Sequence, residues 1–251
     1  MSKVIAVHSF RRGAGKSTLA ANLAAIYAVE GHSVGVIDTD FHSPTIHFPF
    51  HLDEADIYYS LNDFLWGRCT ARQCTYDVTN RMTGMIKGQV CLMPGSTRLS
   101  EVNQILREGV DVRLLDEGLR EISHSLGLDL IVLDTCAGLN EDTMAAIALS
   151  TTLGLILRPD QQDYQGTAVT LDIAHALEIP NIFLITNMVP SAYDLHEVRD
   201  EVAEKYHCEV AAVLPFVEEM TSLGSRDIFA LCFPGHPLSG EIMSLARRLV
   251  P

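Results

Sequence analysis

"HSFRRGAGKST" spans residues 8–18, and its second half decides how the rest of the chain is read. Gly15-Lys16-Ser17 is the closing triplet of a phosphate-binding loop. Alone the triplet is weak evidence, but its setting makes it specific. "KVIAVHS" (3–9) before it is a short apolar, β-branched run that predicts a buried strand. "KSTLAANLAAIYAVEG" (16–31) after it repeats Leu19, Leu23, Ile26 and Tyr27 at helical spacing, with Gly31 as the stop. A strand, a glycine turn and a helix start together make an anion site. The first N–H groups of a helix have no internal partner, and the helix dipole adds positive potential there. Gly13 and Gly15 let the backbone approach phosphate oxygens, Lys16 reaches the β- and γ-phosphates, and the Ser17 hydroxyl suits Mg²⁺. The front half fits less well: Phe10 stands where such loops carry a glycine, followed by Arg11 and Arg12 where small residues are usual.

Outward from the loop, strand and helix patterns alternate. "SVGVIDTD" (33–40) reads as a strand ending in two acids, and "LDLIVLDTCAG" (128–138) as the most apolar strand, ending in an acid and a glycine loop. Further strands are read at 89–96, 153–159, 181–187 and 209–215. Helices are read at 58–67, at 99–126 in two pieces split near Gly109, and at 141–150, 164–178, 194–206 and 239–249. This alternation predicts an α/β fold of the P-loop NTPase kind over 1–251 as a single domain. The sheet is mostly parallel, with helices on both faces. In such folds ligands bind beyond the carboxyl ends of the strands, where the polar motifs cluster. The stretch 68–88 yields no pattern.

A composition of 47% hydrophobic and 20% charged residues suits a globular chain with a core. The net charge of −14 argues against a generally basic nucleic-acid binder. No apolar run approaches membrane-span length and no export signal is read, so the expectation is a cytoplasmic protein with six free thiols. His42, His47 and His51 are too irregularly spaced for a zinc site.

Acids at strand ends beside a phosphate loop suit metal and water chemistry: Asp134 as the acid that holds Mg²⁺ through water, Asp38 and Asp40 on the neighbouring strand. With these motifs the chain resembles the deviant Walker-A ATPases of the MinD/ParA group. Their loop, Lys-Gly-Gly-x-Gly-Lys-[Thr/Ser], aligns with Arg11-Arg12-Gly13-Ala14-Gly15-Lys16-Ser17. Their Asp-x-Asp aligns with Asp38-Thr39-Asp40, and their Asp-x-x-x-Gly with Asp134 to Gly138. The replaced signature lysine is a feature of the carboxysome-positioning McdA branch.

The resemblance implies ATP and Mg²⁺ as cofactors and a homodimer built around ATP. Residues 12–18 (Arg12, Gly13, Ala14, Gly15, Lys16, Ser17, Thr18) would cradle phosphates, with Ser17, Asp38 and Asp134 at the metal. Asp40 would orient water, Gly138 sense the γ-phosphate, and Asn187 and Pro215 contact adenine. Arg11 would take the place of the lysine that reaches across the dimer. Arg12 replaces a glycine, which is strained if that position needs positive φ. The segment after Asp40 matches a switch and is expected to be a mobile loop. An activating partner is implied, as is non-specific DNA or nucleoid binding, for which Arg199, Lys205, Arg226, Arg247 and Arg248 are the candidate cations. The C-terminal helix reads as packing through Ile242, Leu245 and Leu249, with no membrane role. Two other readings stay open: an ATP-holding dimeric scaffold that barely hydrolyses, and a ligase or phosphotransferase with its second substrate over 40–60.

Overall fold

The computed structural model describes residues 2–250. Its strands are β1 (Lys3–Ser9), β2 (Ser33–Thr39), β3 (Tyr76–Asp77), β4 (Gln89–Met93), β5 (Leu130–Thr135), β6 (Thr152–Leu157), β7 (Asn181–Val189) and β8 (Val210–Pro215). Its helices are α1 (Lys16–Glu30), α2 (Leu61–Leu65), α3 (Leu99–Glu108), α4 (Val112–Leu126), α5 (Glu141–Ala148), α6 (Gln161–Ala176), α7 (Leu195–Tyr206), α8 (Glu218–Leu223), α9 (Phe229–Cys232) and α10 (Pro237–Leu249). The strands form one sheet in the order β3-β4-β2-β5-β1-β6-β7-β8. All pairings are parallel except β3 with β4 at the edge. The α/β, mostly parallel architecture is therefore as the alternation predicts.

The central strands are continuous apolar runs because both faces are covered. β5 is buried at every position, and β1 at every position but Lys3. On one face, α1 packs with α9 and α10 over Ile5, Val7, Val34 and Val36. Its small residues Ala20, Ala21, Ala24, Ala25 and Ala28 are all buried and let it lie close between sheet and neighbour. Tyr27 donates its hydroxyl hydrogen to the Ala246 carbonyl of α10 at 2.8 Å. The other face carries the second core, with Leu115, Leu119, Ile147, Leu171 and Val202 from α4 to α7 against Ala6, Ile37 and Leu133.

Two regions depart from the sequence reading. The segment after Asp40, expected to be a mobile loop, is folded into the core: Phe41, Ile46, Phe50 and Leu52 are buried, and His47 is buried beside Phe48. The unpatterned stretch 68–88 supplies the edge strand β3. There the Tyr76 hydroxyl accepts from the Tyr58 and Tyr59 amides at 2.9 Å and pins that turn. A two-residue strand leaves no periodicity to read. Ile242, Leu245 and Leu249 of α10 are buried, as read from their spacing. Among the described residues no helix is long and apolar enough to cross a membrane.

Candidate functional site

The loop between β1 and α1 adopts the conformation its glycines permit. Gly13 lies at φ +77° and Gly15 at φ +93°, a region that disfavours any residue with a Cβ. Gly15 is the N-cap of α1, and it offers no side-chain acceptor; the first turn carries no acid either. The opening N–H groups of α1 are thus left for an external anion. Lys16 is buried at this helix start, while Ser17 and Thr18 are partly exposed.

The front of the loop is held by α6. The ring of Phe10 lies against Gly166, so close that a Cβ there would sit 2.0 Å from Phe10 Cγ. Arg11 Nη1 donates to both oxygens of Asp160, at 3.1 and 3.2 Å, and lies 3.4 Å from Asp163 Oδ1. Arg158 shares the same two acids: its Nε is 3.0 Å from Asp163 Oδ2 and its Nη2 3.4 Å from Asp160 Oδ2. Asp160 also caps α6, accepting from the Gln162 and Asp163 amides. Arg12 is exposed and is not among the residues at positive φ, so its backbone accommodates a side chain without the strain that a replaced glycine threatened.

Beside the loop, the parallel register of β2 and β5 sets Asp38 opposite Asp134, and both are fully buried. Asp38 Oδ1 accepts from the Asp40 amide at 3.1 Å, but Asp38 Oδ2 has no hydrogen-bond partner, and neither oxygen of Asp134 makes a hydrogen bond of ordinary geometry. Burial pushes the Asp134 carboxyl up to about 7, with Ser17 and Lys16 pulling it down and the Asp40 charge pushing it further up. Burial, then the charges of Asp134 and Asp40, raise Asp38 well above the carboxylate range. Buried acids without partners are costly unless a cation joins them. The residues present therefore fit a divalent cation among Asp38, Asp134 and Ser17. Asp40 is buried one residue past β2, and its Oδ1 accepts from the Ser43 amide at 3.0 Å. Gly138 donates its amide to the Ser9 carbonyl at 3.2 Å, which ties the loop after β5 to the end of β1.

On the other side of Gly15 a recess open to solvent runs between α1, β8 and α10; Asn187, Met188, Pro215, Phe216 and Leu238 are among its walls. Asn187 and Pro215, read as base contacts, are thus together, one wall away from the phosphate loop. Each of the five cations read as DNA candidates has a partner within the chain. Arg247 pairs with Glu30 and Arg248 with Glu209, both at 2.8 Å. Lys205 sits over the Tyr164 ring at 4.2 Å, Arg199 donates to the Val210 carbonyl, and Arg226 donates to the Leu223 and Ser222 carbonyls.

Sequence reasoning missed three groups. Asp160 and Asp163 stand in "RPDQQD", a legible helix cap, but nothing local tells that Arg11 is their partner. Gly95 packs on Asp38: a Cβ there would lie 3.5 Å from Asp38 Cγ and 2.8 Å from Pro44 Cβ. His8, fully buried beneath the loop, bonds through Nδ1 to Thr135 Oγ1 at 2.8 Å and leaves Nε2 unpartnered. Thr135 Oγ1 also lies within hydrogen-bond distance of the Val7 carbonyl, at 3.0 Å.

A family model described as an AAA domain (AAA_31) matches residues 2–178. An iron–sulfur cluster carrier protein of Pyrococcus furiosus is 26% identical over 98% of this chain and 85% of that protein. Among solved structures, the septum site-determining protein MinD of Pyrococcus horikoshii, complexed with Mg-ADP, superposes with a TM-score of 0.81, 21% identity, and coverage of 100% and 96%. A variant of Cyanothece McdA in complex with ATP gives 0.81 at 16% identity, covering 99% and 96%. The sheet and its flanking helices have the MinD-like P-loop fold.

Proposed function

The chain belongs to the AAA_31 family, and from that premise we propose that it is an Mg²⁺-dependent ATPase that dimerises around ATP, hydrolyses it slowly and serves as a spatial switch placing a cellular cargo. The observation that carries this reading is the register pairing of Asp38 with Asp134. Two buried, underbonded carboxylates lie beside a helix start whose N–H groups face outward uncapped. A cation stabilises such a pair in its charged form, and an anion suits such a helix start.

In this mechanism the amides of residues 13–18 and Lys16 hold the triphosphate. Ser17, Asp38 and Asp134 would hold Mg²⁺, which would supply positive charge to neutralise the phosphate oxygens. Asp40 accepts a hydrogen bond from the attacking water and orients it. Arg11 leaves Asp160 and Asp163 and reaches the partner's phosphates, where its planar fork stabilises charge in phosphoryl transfer. After hydrolysis the γ-phosphate contacts at Gly138 and the segment after Asp40 are lost and the dimer separates, a step an activating partner protein accelerates. Asn187 and Pro215 hold the base.

The spatial role draws on MinD, named for determining the septum site. One similar protein is named an iron–sulfur cluster carrier. Cluster carriage fits less well here: Cys136 is buried, its thiol is pushed up to about 11 by burial, and it is the single cysteine of its loop. A scaffold that holds ATP and barely turns it over is favoured by one observation, the capture of Arg11 within its own chain.

Light scattering with and without Mg-ATP tests the reading: an ATP-dependent doubling of mass is expected, and a monomer insensitive to nucleotide overturns it. Phosphate release separates switch from scaffold. Cytoplasmic action on the nucleoid would require the dimer to gather cations that already have partners. DNA retention in the presence of ATP, weakening steeply with salt, is its signature, and no retention at low salt removes it.

A further inference from the structure

We propose that Asn187 is a positioning residue for the phosphate loop itself, so that one side chain ties the base recess to the phosphate cradle; this rests on the reading that the loop holds a triphosphate. The Asn187 side-chain amide donates from Nδ2 to the Ala14 carbonyl at 2.8 Å. The contact joins residues far apart in sequence, and its direction is fixed by chemistry: a carbonyl accepts only, so the nitrogen faces it. The neighbouring geometry is built around this contact. A Cβ on Gly15 would lie 2.6 Å from Asn187 Nδ2, so the glycine that caps α1 also clears space for the amide.

On the strand side, the β7–β8 pairing slips between Thr186 and Val189. Within that bulge Met188 takes φ +56°, a left-handed conformation that side-chain-bearing residues seldom adopt. The bulge re-aims Asn187 away from the ladder and toward the loop.

The amide has two hydrogens and its oxygen has two lone pairs, so one N–H given to Ala14 leaves the other N–H and Oδ1 for a base edge. Asn187 therefore acts on phosphate binding even when no base is present. Base contact and loop shape become one equilibrium: whatever orders the Asn187 amide orders the carbonyl between Gly13 and Gly15.

The probe is inorganic tripolyphosphate with Mg²⁺, which has phosphates and no base, measured by calorimetry beside ATP. Asn187→Asp keeps the shape but sets a carboxylate oxygen against the Ala14 carbonyl. It is expected to weaken tripolyphosphate about tenfold or more, the cost of an unmade bond plus repulsion. Asn187→Ser, which keeps a donor, is expected to lose less than Asn187→Ala. Unchanged tripolyphosphate affinity in Asn187→Asp, with ATP alone weakened, would reduce the residue to a base contact and overturn the proposal. If the wild type binds neither ATP nor tripolyphosphate, the nucleotide reading has failed instead. Should the Asp variant not fold, the wild-type Asn187 side-chain amide signal decides. Slow hydrogen exchange in the nucleotide-free protein is expected, and exchange at the solvent rate refutes the tether.

Discussion

The Phe10 ring fills the space that a side chain at position 166 would need; a Cβ built on Gly166 would lie 2.0 Å from two of its ring carbons. With the Arg11 pairing to Asp160 and Asp163, this contact fastens the front of the phosphate loop to α6 rather than leaving it at the surface.

Gly166→Ala tests that packing through the sign of its effect. In a helix interior, alanine should gain about 1 kcal/mol over glycine. Displacing an aromatic ring should cost about 1–3 kcal/mol. A net loss of stability by denaturant titration is expected. A gain would mean that Phe10 is loosely held.

Asp160→Asn keeps an acceptor for the α6 cap while removing one of the charges that hold Arg11. If Arg11 serves the partner's phosphates, this variant should dimerise at several-fold lower ATP, read by light scattering across an ATP titration. Arg11→Ala should lose ATP-dependent dimerisation. A dimer of wild-type strength in Arg11→Ala would leave Arg11 as a strut of the monomer.

Asp40→Ala should lower phosphate release by about 10²-fold, a typical loss for a group that positions or accepts a proton, while ATP stays bound. Equal rates in variant and wild type would favour the scaffold reading. Asp134→Asn is the complementary case. It should weaken Mg²⁺-dependent ATP binding, yet raise stability without nucleotide, because one buried acid is gone.

His8 provides the pH prediction. Burial, with Lys16 adding, depresses it from 6.5 to about 3. Between those values the unfolded chain binds a proton that the folded chain refuses. The resulting stability is full above about pH 6.5 and is lost as pH falls toward 3, by about 1.4 kcal/mol per unit. The raised acids Asp38 and Asp134 act in the opposite direction, since the folded form keeps protons that the unfolded form releases. Subtracting the stability of His8→Gln from that of the wild type isolates the histidine. That difference should rise with pH between about 4 and 6. Parallel curves would contradict a neutral, buried His8.

Much of this was legible because it is local. The strand–loop–helix around Gly15, the acids ending β2 and β5, and the glycine after β5 are each written in a few consecutive residues. Asn187 and Pro215 carry no local signal; resemblance alone points to them, and the fold sets them beside the loop. What stayed hidden lies between distant residues. Arg11 and Asp160 are 149 positions apart, and neither reveals the other. The segment "FHSPTIHFPFHL" (41–52) matches a switch by its family position, yet its Phe41, Ile46, Phe50 and Leu52 are the apolar content of a packed segment. The β7 bulge that aims Asn187 depends on pairing with β8, which strand periodicity does not encode.

The buried segment after Asp40 bears on time rather than place. If loss of the γ-phosphate must move it, four core side chains have to leave their packing, each worth about 1.5–3 kcal/mol. The reset of the cycle then has the barrier of a local unfolding event rather than of a loop flicker. The apolar anchors act as a clock escapement, and trimming one, as in Ile46→Ala, should shorten the dwell of the dimer.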